Sequence, residues 1–525
     1  MGREDSGDHE DRTRGDERDP LGRIVDAIDE AFAEGDLQRA AELLEQDPLA
    51  SWYGFRPERF GALVAELLRA GVAGGGFLRE AAAMLSPGGA SGFGRAEAAD
   101  DELLASDSDG DGRAVAVALM GRMFALRLQG RPVEALRFST ELERRFGRVQ
   151  PLFDVYRGMA LFSSVQDGIT AMLAGDFRAA AERFTQARMH AVISHLGFLS
   201  RDACVKLAVL EALYGDPERA RSLIDEADDL PRTSSWAEEA IDAHRTIAVS
   251  LVHGEDPEAS LRALEAVPLH VIGELWPFYV AAMHRTLHAA GKQEEGRRRI
   301  ELFEGLSLPR ADGQGYAGSL LHFCIGLDAI RSGDFVRARE RLERADPSLA
   351  ISRLFVAVLE LAVGRPREAM RPLAGLHDQT ASLRTLDIWR LAVTAGSLLA
   401  LGEREECREV LDFVLGLPGG LRSDELHFFP RPIRDFAETS LERWPRGEAA
   451  AFIGLEVFPM SGEALTAREL DLLRELAGGS SREGIAKSRF ISVNTLKAHL
   501  RSIYRKLGVG SRAAAVLEAE RRGIL

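Results

Sequence analysis

The chain has 525 residues, of which 46% are hydrophobic and 28% charged, and it carries a formal net charge of −16. That length exceeds one ordinary core, so two or more domains are expected, and the composition is that of a globular protein rather than a disordered or fibrous one. No run of 18 uninterrupted apolar residues occurs, so no membrane span is expected, and the three scattered cysteines (Cys204, Cys324, Cys407) form neither a disulfide framework nor zinc-ligand spacing, which fits a cytoplasmic protein.

Residues 1–20 open the chain with twelve charged residues, eight of them acidic, and no apolar stretch. They read as a disordered charged tail and not as a secretory signal. From 21 to 445 one device recurs: a glycine followed five positions later by a small residue. It occurs at Gly35/Ala40, Gly76/Ala81, Gly130/Ala135, Gly175/Ala180, Gly215/Ala220, Gly254/Ala259, Gly291/Gly296, Gly333/Ala338, Gly364/Ala369 and Gly402/Cys407, with successive glycines 31 to 54 residues apart. Glycine ends one helix in a left-handed cap. Asp36, Asp176, Asp216 and Asp334 can then cap the next. A small residue one turn in lets two helices approach. Phe177, Ala180, Phe184 and Ala187 illustrate the apolar face that results.

This pattern predicts an all-α solenoid of roughly eight to ten helical hairpins. It resembles tetratricopeptide-type repeats, in which G-D-x-x-x-A is common at the second helix. The resemblance implies a sensor or interaction domain whose effector is a small molecule, peptide or protein. A glycine- and acid-rich loop, 87–112, accounts for the longest interval. Pro418, Gly419 and Gly420 predict a turn, and a last helix is expected from Ile433 to about Trp444. Residues 446–461 form a linker.

Residues 462–525 are different in charge. They hold twelve Lys and Arg against seven Asp and Glu, a net of +5, which leaves −21 on the rest of the chain. A basic module on an acidic body suits a DNA reader fused to a second function. Four helices are expected. Thr466-Ala-Arg-Glu469 is a capping box for the first, with Leu470, Leu473 and Leu476 on its core face and Gly478-Gly479 as its stop. Ser481 caps a short second helix carrying Ile485 and Ala486, Ser492 a third running to about Leu507, and Ser511, after Gly508, a fourth through Val516 and Leu517. On the third, Leu496, Leu500, Ile503, Tyr504 and Leu507 form an apolar stripe, while Lys497, Arg501 and Arg505 stack on another face. A helix anchored on one side and basic on the other fits the major groove.

These residues resemble the LuxR-type, or GerE-like, helix-turn-helix domain. Leu465, Thr466, Arg468 and Glu469 match its opening; Gly479, Ile485 and Ala486 match its middle; Ser492, Thr495, Lys497 and His499 match its Ser-x-x-Thr-Val-Lys-x-His segment, with Leu496 for valine. Ile503, Tyr504, Lys506, Leu507, Gly508, Val509, Ser511, Arg512 and Ala515 match its end. The resemblance implies base contacts from Lys497, Ala498 and Arg501, and phosphate contacts from Ser492, Asn494, Thr495 and Arg505. It also implies double-stranded DNA as partner, a homodimer through the fourth helix, and RNA polymerase as a further candidate contact of a bacterial transcriptional regulator. Two positions depart from the family. Gly484 replaces a glutamate, which weakens a short helix. Arg489 replaces a buried leucine, so it must reach solvent or shift the turn, with Phe490 helping to fill the gap. These departures motivate the alternative of a scaffold or anti-regulator whose module no longer binds DNA.

Other motifs are incomplete. Asp107-x-Asp109-x-Asp111-Gly112 begins like an EF-hand, but its twelfth position is Ala118. His284 and His288 share a helix face without a further ligand at zinc-site spacing. Gly291-Lys292 is the only Gly-Lys pair and is no P-loop. The five tryptophans, Trp52, Trp236, Trp276, Trp389 and Trp444, read as core rather than a ligand groove. No catalytic constellation, cofactor or metal is expected.

Overall fold

The computed structural model describes residues 19–72, 104, 112–153, 158–190, 192–252, 256–446, 465–507, 509–521 and 525. The Gly76/Ala81 pair, the Asp107–Asp111 motif, Gly254, and nearly all of the terminal tail and of the linker lie outside them. The fold is all-α: every element among the described residues is helical. No single described helix is long and apolar enough to cross a membrane.

Two compact units are present. One comprises Met1–His253, Ala259–Ala282 and Ser307–Ala317; the other comprises Gly254–Glu258, Met283–Leu306 and Gly318–Leu525. Each contains helical hairpins in series. Met159–Ala174 packs on Phe177–Met189 and Gly197–Tyr214 on Pro217–Asp229 in the first unit, and Ala350–Ala362 on Pro366–Leu373 and Arg384–Leu401 on Arg404–Leu415 in the second. Six such packed pairs can be traced among the described residues.

The local cause is the expected one. Gly175 adopts φ +91° and its N–H bonds Ala171 O at 2.9 Å, ending one helix. Asp176 Oδ1 then accepts from Ala179 N at 3.0 Å, opening the next. Phe177, Ala180, Phe184 and Ala187 are all buried, and Gly168 makes room for the Phe184 ring, since a Cβ there would lie 2.6 Å from it. Deleting a ring so enclosed costs about 3–5 kcal/mol. Asp36 and Asp334 cap their helices in the same way, and Asp216 does so by accepting from the N–H of Glu218, two residues on.

Two repeats depart from the device. Gly215 has φ −103°, not a left-handed cap. The Glu211 carboxylate folds over it and accepts from Asp216 N at 2.8 Å, and a Cβ on Gly215 would lie 1.9 Å from that oxygen. The glycine is there for close approach. After Gly254, Ala259 is exposed and Ser260 takes the buried position, a shift of one residue.

The helix Gly197–Tyr214 is enclosed on all sides. All 18 residues of Gly197–Tyr214 are buried, including Arg201, which donates to Glu238 at 2.5 Å and Asp242 at 2.7 Å. Pairing is what makes such burial tolerable. Trp276, Trp389 and Trp444 are core residues, whereas Trp52 and Trp236 are half-buried, the latter stacked on Tyr53 at 5.5 Å. The last helix runs Arg431–Ser440 and ends before Trp444. The turn at Gly419 and Gly420 uses two positive φ angles, +77° and +69°.

Candidate nucleic-acid interface

Residues 465–521 fold into four helices, Ala467–Ala477, Arg482–Ser488, Val493–Leu507 and Arg512–Arg521, which pack on one another. Each begins at a side-chain cap. Thr466 Oγ1 accepts from Glu469 N at 3.2 Å while Glu469 Oε2 accepts from Thr466 N at 2.8 Å, a complete capping box. Ser481 caps at Gly484 N (3.0 Å), Ser492 at Thr495 N (3.0 Å) and Ser511 at Ala514 N (3.2 Å). Gly479 ends the first helix with φ +82°.

The core is formed by Leu472, Leu473, Leu476, Ile485, Ala486, Leu496, Leu500, Ile503, Leu507, Ala515 and Ala519. Leu470, expected on the core face, is only half-buried, and Leu472 is buried in addition to Leu473 and Leu476. Tyr504, expected in the apolar stripe, is also half-buried.

This core holds Val493–Leu507 by one side. The remaining surface of that helix and its cap carries Ser492, Asn494, Thr495, Lys497, Ala498, Arg501 and Arg505, and all seven are exposed. Among the described residues, no carboxylate pairs with Lys497 or Arg501. Two cations at i and i+4 without an internal counter-ion give a positive flank that can exchange small ions for phosphate.

Lys506, on the same helix, has the opposite fate. It is buried and donates to Glu469 Oε2 at 2.7 Å. One carboxylate therefore caps the first helix and anchors the end of the third. Burial raises the Glu469 carboxyl, but hydrogen bonds from Lys506, the Thr466 backbone and Ser502 outweigh it and hold the group below the usual range. Sequence reading missed this pair. Its only signal was a lysine among apolar-stripe neighbours, 37 residues from the capping box.

The two unusual positions are resolved differently. Arg489 does reach outward, where it donates to Glu475 at 2.5 Å and lies 3.4 Å from Asp471. Phe490 does not fill the space: it is 95% exposed, on a backbone with φ +54°. The turn carrying it is closed instead by Ile491 N bonding Ala486 O at 3.0 Å. Gly484 accommodates the short helix without positive φ, and a Cβ there would meet only Ser481 Oγ, at 3.2 Å.

A capped first helix, a short second helix, a tight turn and a third helix with an exposed basic flank define a helix-turn-helix DNA-binding module. Residues 463–519 match the family of bacterial regulatory proteins, luxR family, so this segment is a LuxR-family helix-turn-helix domain. Over 61 residues the chain is 44% identical to the probable transcriptional regulatory protein NarL of Mycobacterium tuberculosis (strain CDC 1551 / Oshkosh), covering 12% of this chain and 28% of that protein. It is 49% identical over 71 residues to the nitrate/nitrite response regulator protein NarP of Escherichia coli (strain K12), covering 13% and 32%. A putative HTH-type transcriptional regulator of Mycobacterium bovis is 45% identical over 60 residues, 11% of this chain and 7% of that one. The match thus spans less than a third of each of these relatives. Against a solved structure of Naa15/Naa10 bound to HypK-THB, the chain aligns over 96% of its length and 77% of that chain at 13% identity, with a TM-score of 0.20. A score so low carries no assignment for the repeats.

Proposed function

We propose that the whole protein is a sequence-specific transcriptional regulator in which Val493–Leu507 enters the major groove. Lys497, Ala498 and Arg501 read base edges, and Ser492, Asn494, Thr495 and Arg505 contact phosphates. The observation that carries this reading is the exposed flank of that helix, with Lys497 and Arg501 unpaired among the described residues. Leu517, 68% exposed on the last helix, supports a homodimer on an inverted repeat. The helical hairpins are the sensor: they offer the surface for a ligand or protein partner, and no catalytic role is assigned to them.

The test is selection of a binding sequence from random duplexes by the full chain, followed by gel shift. The Lys497→Ala, Arg501→Ala double variant is expected to lose about 100-fold or more in affinity for the selected sequence. Its thermal unfolding should match the parent's. Undiminished selectivity in the variant, or no selected sequence at all, overturns the proposal and favours the scaffold reading.

A further inference from the structure

His284 and His288 stand one turn apart on the helix Trp276–Ala289, so both imidazoles leave one face. The ligand that sequence spacing did not reveal comes from the helix Gly315–Ser332. Asp328 Oδ1 lies 3.1 Å from Nε2 of His284 and 2.8 Å from Nε2 of His288, and the two Nε2 atoms are 3.0 Å apart. Each of the three side chains exposes no more than 8% of its surface.

Protons leave this triangle crowded. Each ring nitrogen presents either one N–H or one lone pair. If both Nε2 atoms are protonated, both N–H groups must share Asp328 Oδ1 while the two nitrogens stand only 3.0 Å apart. If only one is, the bare nitrogen faces a carboxylate oxygen across 2.8 or 3.1 Å. If neither is, three acceptors converge. A cation among them satisfies all three contacts. With bonds of about 2.0–2.1 Å, edges of this length subtend roughly 90°, the angle of two imidazoles and a carboxylate on one face of an octahedral ion.

Two further observations point the same way. Asp328 Oδ2 is buried with no hydrogen-bond partner, so the carboxylate has a second donor atom to offer. Cys324, one turn before Asp328, is buried on the same helix with its thiol beside the His284 imidazole. Arg331 opposes occupancy. Its Nη1 lies 2.7 Å from His288 Nδ1, a bond that needs Nδ1 as acceptor. An ion on Nε2 moves the hydrogen to Nδ1 and requires Arg331 to turn aside.

We infer that His284, His288 and Asp328 form a binding site for a divalent first-row transition ion, with Arg331 as an internal competitor. This is independent of the DNA-binding proposal. The ion would tie together the two helices that carry the ligands.

The experiment is Co2+ titration of the full chain after treatment with a chelator, followed by displacement with Zn2+. The parent is expected to take up about one equivalent of Co2+ with a ligand-field absorption band that Zn2+ removes. Its thermal midpoint should rise with Zn2+. Asp328→Asn and His284→Gln should abolish the band while keeping the parent's far-ultraviolet circular dichroism. Arg331→Gln, which keeps every ligand, should bind Co2+ several-fold more tightly. Absence of uptake by the parent overturns the site whether or not the ligand variants fold. Equal uptake by parent and Asp328→Asn also overturns it, as does looser binding in Arg331→Gln.

Discussion

Cations have opposite roles in the hairpin region and in the terminal module. In the hairpins Arg201 is buried and Arg384 half-buried against carboxylates, Arg201 on Glu238 and Arg384 on Glu425, each at 2.5 Å. In the module Lys497 and Arg501 are exposed, with no described carboxylate beside them. Residue type is similar and the fate is opposite, because partner geometry decides whether a charge serves the fold or faces outward. The same division runs through a single helix: Lys506 is locked to Glu469, while Lys497 and Arg501 project from the other side.

The contrast can be broken at its strongest point first. Arg201→Ala leaves Glu238 buried without its main partner and is expected to cost about 3–5 kcal/mol, read by denaturant unfolding. Lys506→Ala does the same to Glu469 inside the module and should cost about 3 kcal/mol locally. Faster hydrogen exchange across 467–477, with the hairpins unchanged, is the expected signature.

pH sharpens the same pair. The folded-state carboxyl of Glu469 is held below its usual value, so its stabilisation is present above the unfolded value, about 4.3, and is lost as pH falls through the folded value. Exchange protection in 467–477 should therefore fall on acidification in the parent, and less steeply in Glu469→Gln. On the exposed side, Lys497→Ala should change stability by less than about 0.5 kcal/mol. It should instead relax selectivity at the base pair it contacts by about 1–3 kcal/mol, measured by titration against duplexes substituted at each position. The smallest effect is expected at Gly484→Ala: a gain of about 0.5 kcal/mol, because the new Cβ meets only the Ser481 hydroxyl, at 3.2 Å, and a small shift relieves that contact while the cap is kept.

Much of the fold was legible because its signals are short-range. An aspartate three residues before a free N–H, a glycine one residue past a helix, and the Thr466–Glu469 box are all closed within five residues. The exceptions have equally specific causes. Gly215 follows the pattern in sequence but serves the approach of Glu211. Phe490 was expected to replace a missing leucine, yet the turn holds it outward. Each depends on where a second segment or a backbone angle directs a side chain, which spacing does not specify.

From the order of residues alone follow the all-helical class, the places where helices start and stop, and the four-helix module with its cationic flank, because helix periodicity and capping act over single turns. Tertiary packing alone decided that Lys506 would meet a carboxylate 37 residues away, and that His284 and His288 would converge on Asp328. Such meetings depend on how one helix is rotated and shifted against another. That is set by many side chains at once, and no motif records it.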